Sequence, residues 1–284
     1  MHKPVLLHES VDFLDIQSGE IFIDVTFGGG GHSREVRRRF GNKVRIIGID
    51  RDPHVAEKNP EFEIKTENFR NLDKVLDKLK PDAIIFDLGI SSDQLDPPAG
   101  GGRGFSFLKD EPLDMRMSGT GFKAADILNF WDEHAIELIL RGFGEEKFSR
   151  KIAREIVERR EVKSFQTTLD LVEAVLRAKP KNFRDKIHPA TKVFQALRIA
   201  TNDELTSLEI GLEKGFRALK EKGRFAVISF HSLEDRIVKN FFRDKIKEKV
   251  AKQVIKKPIT PSAEEIEINP RSRSAKLRVI EKIW

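Results

Sequence analysis

The chain has 284 residues, enough for one large domain or two modest ones that bury a core without disulfides or metals. It carries a net charge of +6 and no cysteine, which excludes disulfide frameworks, thiolate zinc sites and cysteine nucleophiles and favours the reducing cytoplasm. No stretch approaches the roughly 18 apolar residues that span a bilayer, and residues 1–10 lack the apolar run of a signal peptide, so we expect a soluble protein without a membrane partner.

The first predicted unit is a strand, a glycine loop and a helix. Residues 20–27 (EIFIDVTF) form a β-rich apolar run, four glycines follow at 28–31, and residues 33–40 read as a helix that Gly41 ends. A glycine loop before a helix lets the backbone approach a ligand and directs N–H groups at a carboxylate or phosphate. A tight turn without a ligand has the same sequence, so the loop alone is a weak signal.

The second predicted strand, residues 44–50, ends at Asp50. Asp50 lies 19 residues after Gly31. An acid at this distance from a glycine loop is typical of a side chain that accepts hydrogen bonds from both hydroxyls of a ribose, although a simple strand-end cap is the alternative. Together, the loop and Asp50 indicate an adenosine-containing cofactor that binds across the carboxyl ends of parallel strands.

Two further strand ends supply candidates. A strand at Glu63–Thr66 precedes Phe69, whose ring either covers an adenine or belongs to the core. After a helix at residues 72–79, the strand at 83–88 contains Asp87, which either lies near a reactive sulfonium or caps a helix. The alternation of strands and helices predicts a parallel sheet.

A loop rich in proline and glycine at residues 96–104 precedes a purely helical pattern over 122–202, with helices near 123–141, 146–160, 168–178 and 190–200. A helix at 203–221, a strand at Arg224–Ser229, and two strands at 265–268 and Lys276–Lys282 then complete the sheet with an antiparallel edge. The fold class is therefore α/β, with a Rossmann-like sheet over residues 1–107 and 207–284 that is interrupted by an all-helical domain at 108–206.

Basic charge is concentrated in two segments of the chain. Residues 141–200 hold 15 basic and 8 acidic residues, and residues 236–257 hold 9 and 2, so the rest of the chain carries about −8. Such segregation is typical of a phosphate-backbone partner, but solvated helix faces have a similar composition.

The chain resembles the bacterial 16S ribosomal RNA (cytosine-N4) methyltransferase family, RsmH/MraW, over nearly its whole length. The resemblance rests on nine strings in order: HKPVLL at 2–7, TFGGGGHS at 26–33, GIDRDP at 48–53, DLGISSDQ at 87–94, RGFSF at 103–107, PLDMRM at 112–117, FQALRI at 194–199, SFHSLEDRIV at 229–238 and NPRSRS at 269–274. The glycine-rich loop before Arg103 and the basic tract before Lys257 depart from the family pattern.

The resemblance implies an S-adenosylmethionine cofactor, a cytosine of 16S rRNA in the small ribosomal subunit as substrate, and a helical insert that helps to hold RNA. It implies that the cofactor contacts are Gly30, Gly31, His32, Asp50, Phe69, Asp87 and Gln94. The sequence predicts no metal site, because the histidines are scattered without paired spacing. Oligomeric state stays open.

The chemistry of methyl transfer to an amine makes Asp87 the first candidate for a catalytic residue. The lone pair of cytosine N4 is delocalised into the ring, so an acceptor at N4–H helps to localise it and then receives the proton. Phe105, Phe107 or Phe230 is expected to stack on the extruded base, with an ordinary apolar anchor as the alternative for each.

Other polar residues near these segments have two interpretations each. Arg103, Arg116 and Arg198 either bind phosphates or form structural salt bridges with Asp114 or Glu111. His231 and Asp235 either act in the chemistry or open a helix. Three rival functions also stay open: an NAD-dependent oxidoreductase, a non-catalytic RNA-binding assembly factor and a DNA-directed amino-methyltransferase. The absence of tyrosine, and hence of a Tyr-x-x-x-Lys site, disfavours the first.

Overall fold

A seven-stranded sheet organises the first of two compact units in the computed structural model, which describes residues 4–90, 95, 102–180 and 187–284. The first, here called the sheet unit, comprises Met1–Ser91 and Leu205–Trp284, and the second, the helical unit, comprises Ser92–Glu204. The sequence places the first boundary at 107 rather than 91, so residues 102–107, which it assigned to the sheet domain, lie in the helical unit.

The strands of the sheet are β1 (Ile21–Asp24), β2 (Arg45–Asp50), β3 (Glu63–Thr66), β4 (Ala83–Asp87), β5 (Arg224–Ser229), β6 (Ala251–Gln253) and β7 (Lys276–Lys282). Their order in the sheet is β3-β2-β1-β4-β5-β7-β6. Neighbours among β1 to β5 pair in parallel, while β7 pairs antiparallel with both β5 and β6. The chain therefore winds outward in both directions from β1 and β4, which leaves a crevice at the carboxyl ends of these two strands.

Strand β4 shows why the central strands are apolar without alternation. Ile84 and Phe86 pack into a core on one face of the sheet, whereas Ala83 and Ile85 pack into a second core on the other face. Because side chains alternate between faces along a strand, burial on both sides requires a continuous apolar run. The predicted parallel sheet with an antiparallel edge is confirmed.

Seven helices are described in or entering the sheet unit, and one corrects a prediction. Residues 265–268 are not a strand but part of a helix, because the Ser262 side chain accepts a hydrogen bond from the backbone N–H of Glu265 at 3.1 Å and caps that helix. The helices are α1 (Leu7–Leu14), α2 (Gly31–Phe40), α3 (Pro53–Lys58), α4 (Leu72–Leu76), α10 (Glu204–Ala218), α11 (Ser232–Lys247) and α12 (Ala263–Ile268).

The helical unit contains five described helices: α5 (Ala124–Phe130), α6 (Glu133–Gly142), α7 (Ser149–Arg160), α8 (Thr168–Ala178) and α9 (Thr191–Asn202). The single helix predicted over 123–141 is two helices, because Trp131 is extended and Asp132 caps the second one by accepting from Ala135 N at 2.8 Å. No helix in the described parts of the chain is long and apolar enough to cross a membrane.

Candidate functional site

The glycine loop joins the carboxyl end of β1 to helix α2. Gly30 has φ +71°, and a Cβ there would lie 2.7 Å from the Phe27 ring, so only glycine fits this turn. The N–H of Gly30 donates to the carbonyl of Phe27 at 2.7 Å, and α2 begins at the next residue, Gly31. The loop thus presents backbone amides and the positive end of a ten-residue helix at the crevice, which suits a carboxylate or phosphate.

Asp50, at the end of β2, connects the glycine loop to the turn that follows β2. Its Oδ2 accepts from the N–H of Gly28 at 2.8 Å, and its Oδ1 accepts from the N–H of Asp52 at 2.9 Å. Burial raises the pKa of the Asp50 carboxyl above its ordinary value. Each oxygen of an ionised carboxylate has two acceptor sites, so Asp50 keeps capacity for the hydroxyls of a ribose.

His32, on the first turn of α2, is buried next to the end of β4. Its Nε2 lies 3.2 Å from the carbonyl oxygen of Val5, and its Nδ1 lies 3.7 Å from Oδ2 of Asp87. The imidazole therefore bridges the N-terminal segment of the chain and the candidate catalytic carboxylate.

The backbone of Asp87 is hydrogen-bonded, but one of its carboxylate oxygens has no partner. Its N–H donates to Thr26 Oγ1 at 2.6 Å, while its Oδ1 is buried and makes no hydrogen bond. Burial, and then the negative charges of Asp24 and Glu234, raise the pKa of Asp87 well above its ordinary value. An unpaired buried acceptor is costly in a folded protein and points to a ligand.

Asp24 is a further acid at this edge that the sequence analysis does not single out. It is buried at the end of β1, its Oδ2 accepts from Ser33 Oγ at 2.8 Å, and its Oδ1 has no hydrogen-bond partner. Burial raises its pKa to about 6. The signal was available, because Asp24 ends its strand just as Asp50 and Asp87 end theirs.

Glu234 is the other missed acid, and it organises the turn after β5. It is buried in the first turn of α11 and accepts from the N–H groups of Phe230 at 2.8 Å and His231 at 3.3 Å. His231 in turn caps the helix by accepting from Glu234 N. The helix-opening interpretation of His231 therefore holds, and the capping-box spacing His231-x-x-Glu234 is the signal that identifies Glu234.

Asp235 likewise has a structural role. It forms ion pairs with Lys276 at 3.0 Å and Arg278 at 2.8 Å on strand β7. These contacts tie α11 to the antiparallel edge and lower the pKa of Asp235.

One predicted cofactor contact, Phe69, lies at the outer part of this edge. Phe69 is half-buried after β3, with its ring edge-on to Phe86 at 5.4 Å. A Cβ on Gly211 would lie 2.6 Å from the same ring. Gln94 lies outside the described residues, and the roles of all seven predicted contacts stay predictions.

The candidate stacking rings have different settings. Phe105 is buried under the Arg103 guanidinium, so it is an apolar anchor. Phe107 stacks on His188 with ring centroids 4.4 Å apart. Phe230 lies against Gly89, where a Cβ would be 3.4 Å from its ring, and so belongs to the same strand-end edge as Asp87.

The candidate phosphate-binding arginines are engaged within the helical unit. Arg116 pairs with Asp114 at 2.7 Å, and Arg198 pairs with Glu204 through two bonds of 2.9 Å. Arg103 donates to the backbone carbonyls of residues 116 and 117. The salt-bridge interpretation therefore describes Arg116, which has the expected partner Asp114, and Arg198, which pairs with Glu204 instead.

Taken together, the carboxyl edge places two unpaired acid oxygens beside a loop that suits an anion. Buried carboxylates without partners are stabilised by a cationic ligand, so the edge suits a zwitterionic molecule with an added positive centre and a ribose. The amino-acid end and sulfonium of S-adenosylmethionine have this charge pattern, so the residues present fit that cofactor.

Comparisons with known proteins identify the family to which the chain is similar. A sequence model of the MraW methylase family matches residues 1–283. The protein named "Ribosomal RNA small subunit methyltransferase H" from Carboxydothermus hydrogenoformans is 45% identical over 310 residues, covering 99% of this chain and 98% of its own. Proteins of the same name from Hydrogenovibrio crunogenus and a Sulfurihydrogenibium species are each 46% identical, covering 99% of this chain and 96% and 99% of their own. A solved rRNA methylase from Streptococcus thermophilus has a TM-score of 0.45 at 12% identity, covering 100% of this chain and 99% of its own.

Proposed function

Since the chain belongs to the MraW methylase family, we propose that it transfers the methyl group of S-adenosylmethionine to the N4 amine of a cytosine in 16S rRNA. The observation that carries the proposal is the buried, unpaired Oδ1 of Asp87 at the end of β4, next to a glycine loop. A small-subunit rRNA substrate is supported by the names of relatives 44–46% identical to this chain. We propose a cytoplasmic location, where such a substrate is found.

Different residues at the strand ends suit different parts of the cofactor. The N-terminus of α2 at Gly31, which follows the Gly30 turn, suits its carboxylate, Asp50 its ribose hydroxyls, and Phe69 its adenine. The acids Asp24 and Asp87 suit its positively charged groups. When bound, S-adenosylmethionine supplies an electrophilic methyl group on a sulfonium.

Asp87 acts on the amine. In its ionised form, its Oδ1 accepts a hydrogen bond from N4–H, which localises the nitrogen lone pair as the bond to carbon forms. The carboxylate then takes the proton that the methylated amine loses. The raised pKa of Asp87 strengthens it as a base, and much of the rate acceleration comes from holding the amine in line with the methyl group.

The helical unit contains one of the two basic segments that suit RNA. Residues 141–200, which belong to it, carry a net +7. Neutralisation of phosphates by such residues gives sequence-independent affinity that falls with salt. Recognition of one cytosine then depends on the strand-end edge, where Phe230 lies beside Gly89 and can stack on the base.

A methyl-transfer assay tests the proposal. Wild-type protein is incubated with methyl-labelled S-adenosylmethionine and small ribosomal subunits, with duplex DNA as a second acceptor. We expect label in rRNA only. Label in DNA identifies a DNA amino-methyltransferase, and no transfer despite binding to subunits identifies a non-catalytic assembly factor. Calorimetric binding of NAD in preference to S-adenosylmethionine identifies an oxidoreductase.

A further inference from the structure

A short turn with two arginines precedes the last strand of the sheet unit. Within the string NPRSRS at 269–274, Pro270–Ser274 form a single 3₁₀ turn, here called the arginine turn, and Lys276 then begins β7. Neither of the two basic segments, 141–200 and 236–257, includes this turn. Its arginines are therefore further cations of the sheet unit, separate from the charge that those segments carry.

Strand pairing places the arginine turn at the same edge of the sheet as Asp87. Strand β7 runs antiparallel to β5, and Lys276 is paired with Ser229, the last residue of β5. Asp87 is paired with Ile228 from the other side of β5. Because neighbouring strands lie about 4.8 Å apart, the backbone of Lys276 is roughly 10 Å from that of Asp87. The arginine turn, which directly precedes β7, thus lies at the carboxyl edge of β5.

Small residues anchor the arginine turn. Ser272 is fully buried, and its hydroxyl donates to the carbonyl of Asn269 at 2.8 Å. The N–H of Ala275, which packs into a core of the sheet unit, donates to the carbonyl of Ser272 at 2.7 Å. On either side of Ser272, Arg271 and Arg273 are exposed. The turn therefore fixes the backbone of two arginines whose side chains lie at the surface.

These two arginines differ from the cations of the strand that follows. Lys276 and Arg278 pair with Asp235 at 3.0 and 2.8 Å, so their charges are compensated within the sheet unit. Within the part of the chain that the structure describes, neither Arg271 nor Arg273 has a carboxylate oxygen within 4.0 Å. Two exposed guanidinium groups without an ion pair, on an anchored turn, suit an anion from outside the chain.

The acids of the preceding helix, α12, indicate how such an anion is bound. Glu265 accepts from the N–H of Leu6 at 2.8 Å, while Glu264 and Glu267 are exposed. Residues 263–274 therefore hold three acids and two arginines, which gives no net positive field to attract a distant polyanion. Binding here depends on direct contact, and a guanidinium matches the two oxygens of a phosphate with a pair of parallel N–H···O bonds.

We propose that Arg271 and Arg273 bind backbone phosphates of the substrate RNA beside the cytosine that is methylated. This role rests on the proposed methyl transfer to rRNA. Phe230, the ring proposed to stack on the base, directly follows Ser229, whose partner Lys276 begins β7. A nucleotide whose base stacks on Phe230 therefore lies next to the arginine turn. Phosphate contacts fix the position of the strand without reading its sequence, so the two arginines are positioning residues.

Salt-dependent binding of unmodified 16S rRNA tests the phosphate contacts. In the double variant Arg271→Gln, Arg273→Gln, we expect the slope of log affinity against log salt to fall by about 2, since each lost phosphate contact removes about one. The Kd for S-adenosylmethionine and the urea midpoint should stay unchanged. The matched control is Arg217→Gln, an exposed arginine in the last turn of α10, which ends before the amino end of β5. An unchanged slope in the double variant, or an equal fall in the control, overturns the proposal.

Replacement by lysine separates charge from geometry. Arg271→Lys, Arg273→Lys keeps both positive charges but loses the paired donors of each guanidinium. We expect the salt slope of the wild type and a KM for rRNA that rises about threefold to tenfold, measured by labelled methyl transfer. A KM equal to that of the wild type would show that charge alone acts at this turn, and would contradict the bidentate contact.

Directed cleavage tests where the RNA lies. The chain has no cysteine, so Ser274→Cys, at the exposed end of the arginine turn, supplies a single thiol for an iron–EDTA probe. We expect hydroxyl-radical cuts beside the methylated cytosine, and none there from Glu221→Cys, which is exposed before the amino end of β5. Absence of those cuts with Ser274→Cys, or the same cuts with both variants, contradicts the proposal. If the wild type transfers no methyl group, the proposed function fails, while the salt slopes still show whether the two arginines bind RNA.

Discussion

Among the described residues, carboxylates at the strand ends of the sheet unit lack partners, whereas two arginines of the helical unit have them. At the strand ends, Asp24 and Asp87 each bury a carboxylate oxygen without a hydrogen bond. In the helical unit, Arg116 and Arg198 face carboxylates at 2.7 and 2.9 Å. Because desolvated charges without partners cost free energy, the first arrangement indicates a ligand, while the second is explained by structure alone. A count of charges along the sequence does not distinguish the two.

Neutralisation of Asp87 is expected to have the largest effect, because it removes the proposed proton acceptor at the strand ends. Asp87→Asn keeps the size of the side chain and the backbone bond to Thr26 but cannot take the amine proton. We expect kcat to fall by about 10²- to 10⁴-fold while the fold is retained. Initial rates of labelled methyl transfer measure the effect, and Asp73→Asn, an exposed acid that pairs with Lys214, serves as the control. Near-normal turnover in Asp87→Asn would exclude Asp87 as the acceptor.

The pH dependence of the unfolding free energy tests whether the Asp24 carboxyl is buried without a full set of partners. Burial raises its pKa from 3.8 to about 6, so between these values the folded protein holds a proton that the unfolded chain has lost. Its contribution is therefore fully present below about pH 4 and is lost as the pH rises through 6, with an upper limit of about 3 kcal/mol. We expect the unfolding free energy of the wild type, relative to Asp24→Asn, to fall by up to that amount from pH 4 to 7. Urea titrations measure the difference, and a constant difference would refute the assignment.

Asp50 tests whether a partly satisfied carboxylate still binds a ligand. Asp50→Ala loses the acceptors for ribose hydroxyls and for the N–H groups of Gly28 and Asp52. We expect the Kd for S-adenosylmethionine to rise about 10- to 100-fold, with a smaller rise for Asp50→Asn, which keeps one acceptor. Isothermal calorimetry measures both variants. Equal affinities for wild type and Asp50→Ala would remove Asp50 from the cofactor site.

Two arginines of α7 test the RNA surface, with the smallest expected effect. Arg150 is exposed, whereas Arg159 pairs with Glu173 at 2.7 Å and with Asp170 at 3.4 Å. Arg150→Glu should reduce the slope of log affinity against log salt by about 1 and leave stability within about 0.5 kcal/mol. Arg159→Glu should lower stability by more, because it places an acid beside two acids. Filter binding of small-subunit rRNA over a salt series, and urea titrations, separate the effects, and an unchanged slope for Arg150→Glu removes it from the RNA surface.

The strand ends were predictable because their signals are local. Asp50 and Asp87 each end an apolar run, and in parallel strands such ends meet at one edge of the sheet. The same rule applied to β1 identifies Asp24. The helix–strand alternation and the helical insert likewise follow from periodicity over short windows.

The rest of the site depends on contacts between distant residues. The bond from Leu6 to Glu265 joins the two ends of the chain, and no short window contains it. Residues 265–268 read as a strand because isoleucine and glutamate alternate there, whereas the Ser262 cap and the partner at Leu6 make the segment helical. The sequence also left the role of Arg198 open, because phosphate binding and a salt bridge require the same residue type. Only the side-chain geometry shows that Arg198 pairs with Glu204.

Mass spectrometry of nucleosides tests the central claim most directly. Small subunits without the modification are incubated with S-adenosylmethionine and either the wild type or Asp87→Asn, and the 16S rRNA is digested to nucleosides. The account predicts a gain of N4-methylcytidine with the wild type and none with Asp87→Asn. A methyl group on another atom or another base, or an equal gain with Asp87→Asn, would contradict it.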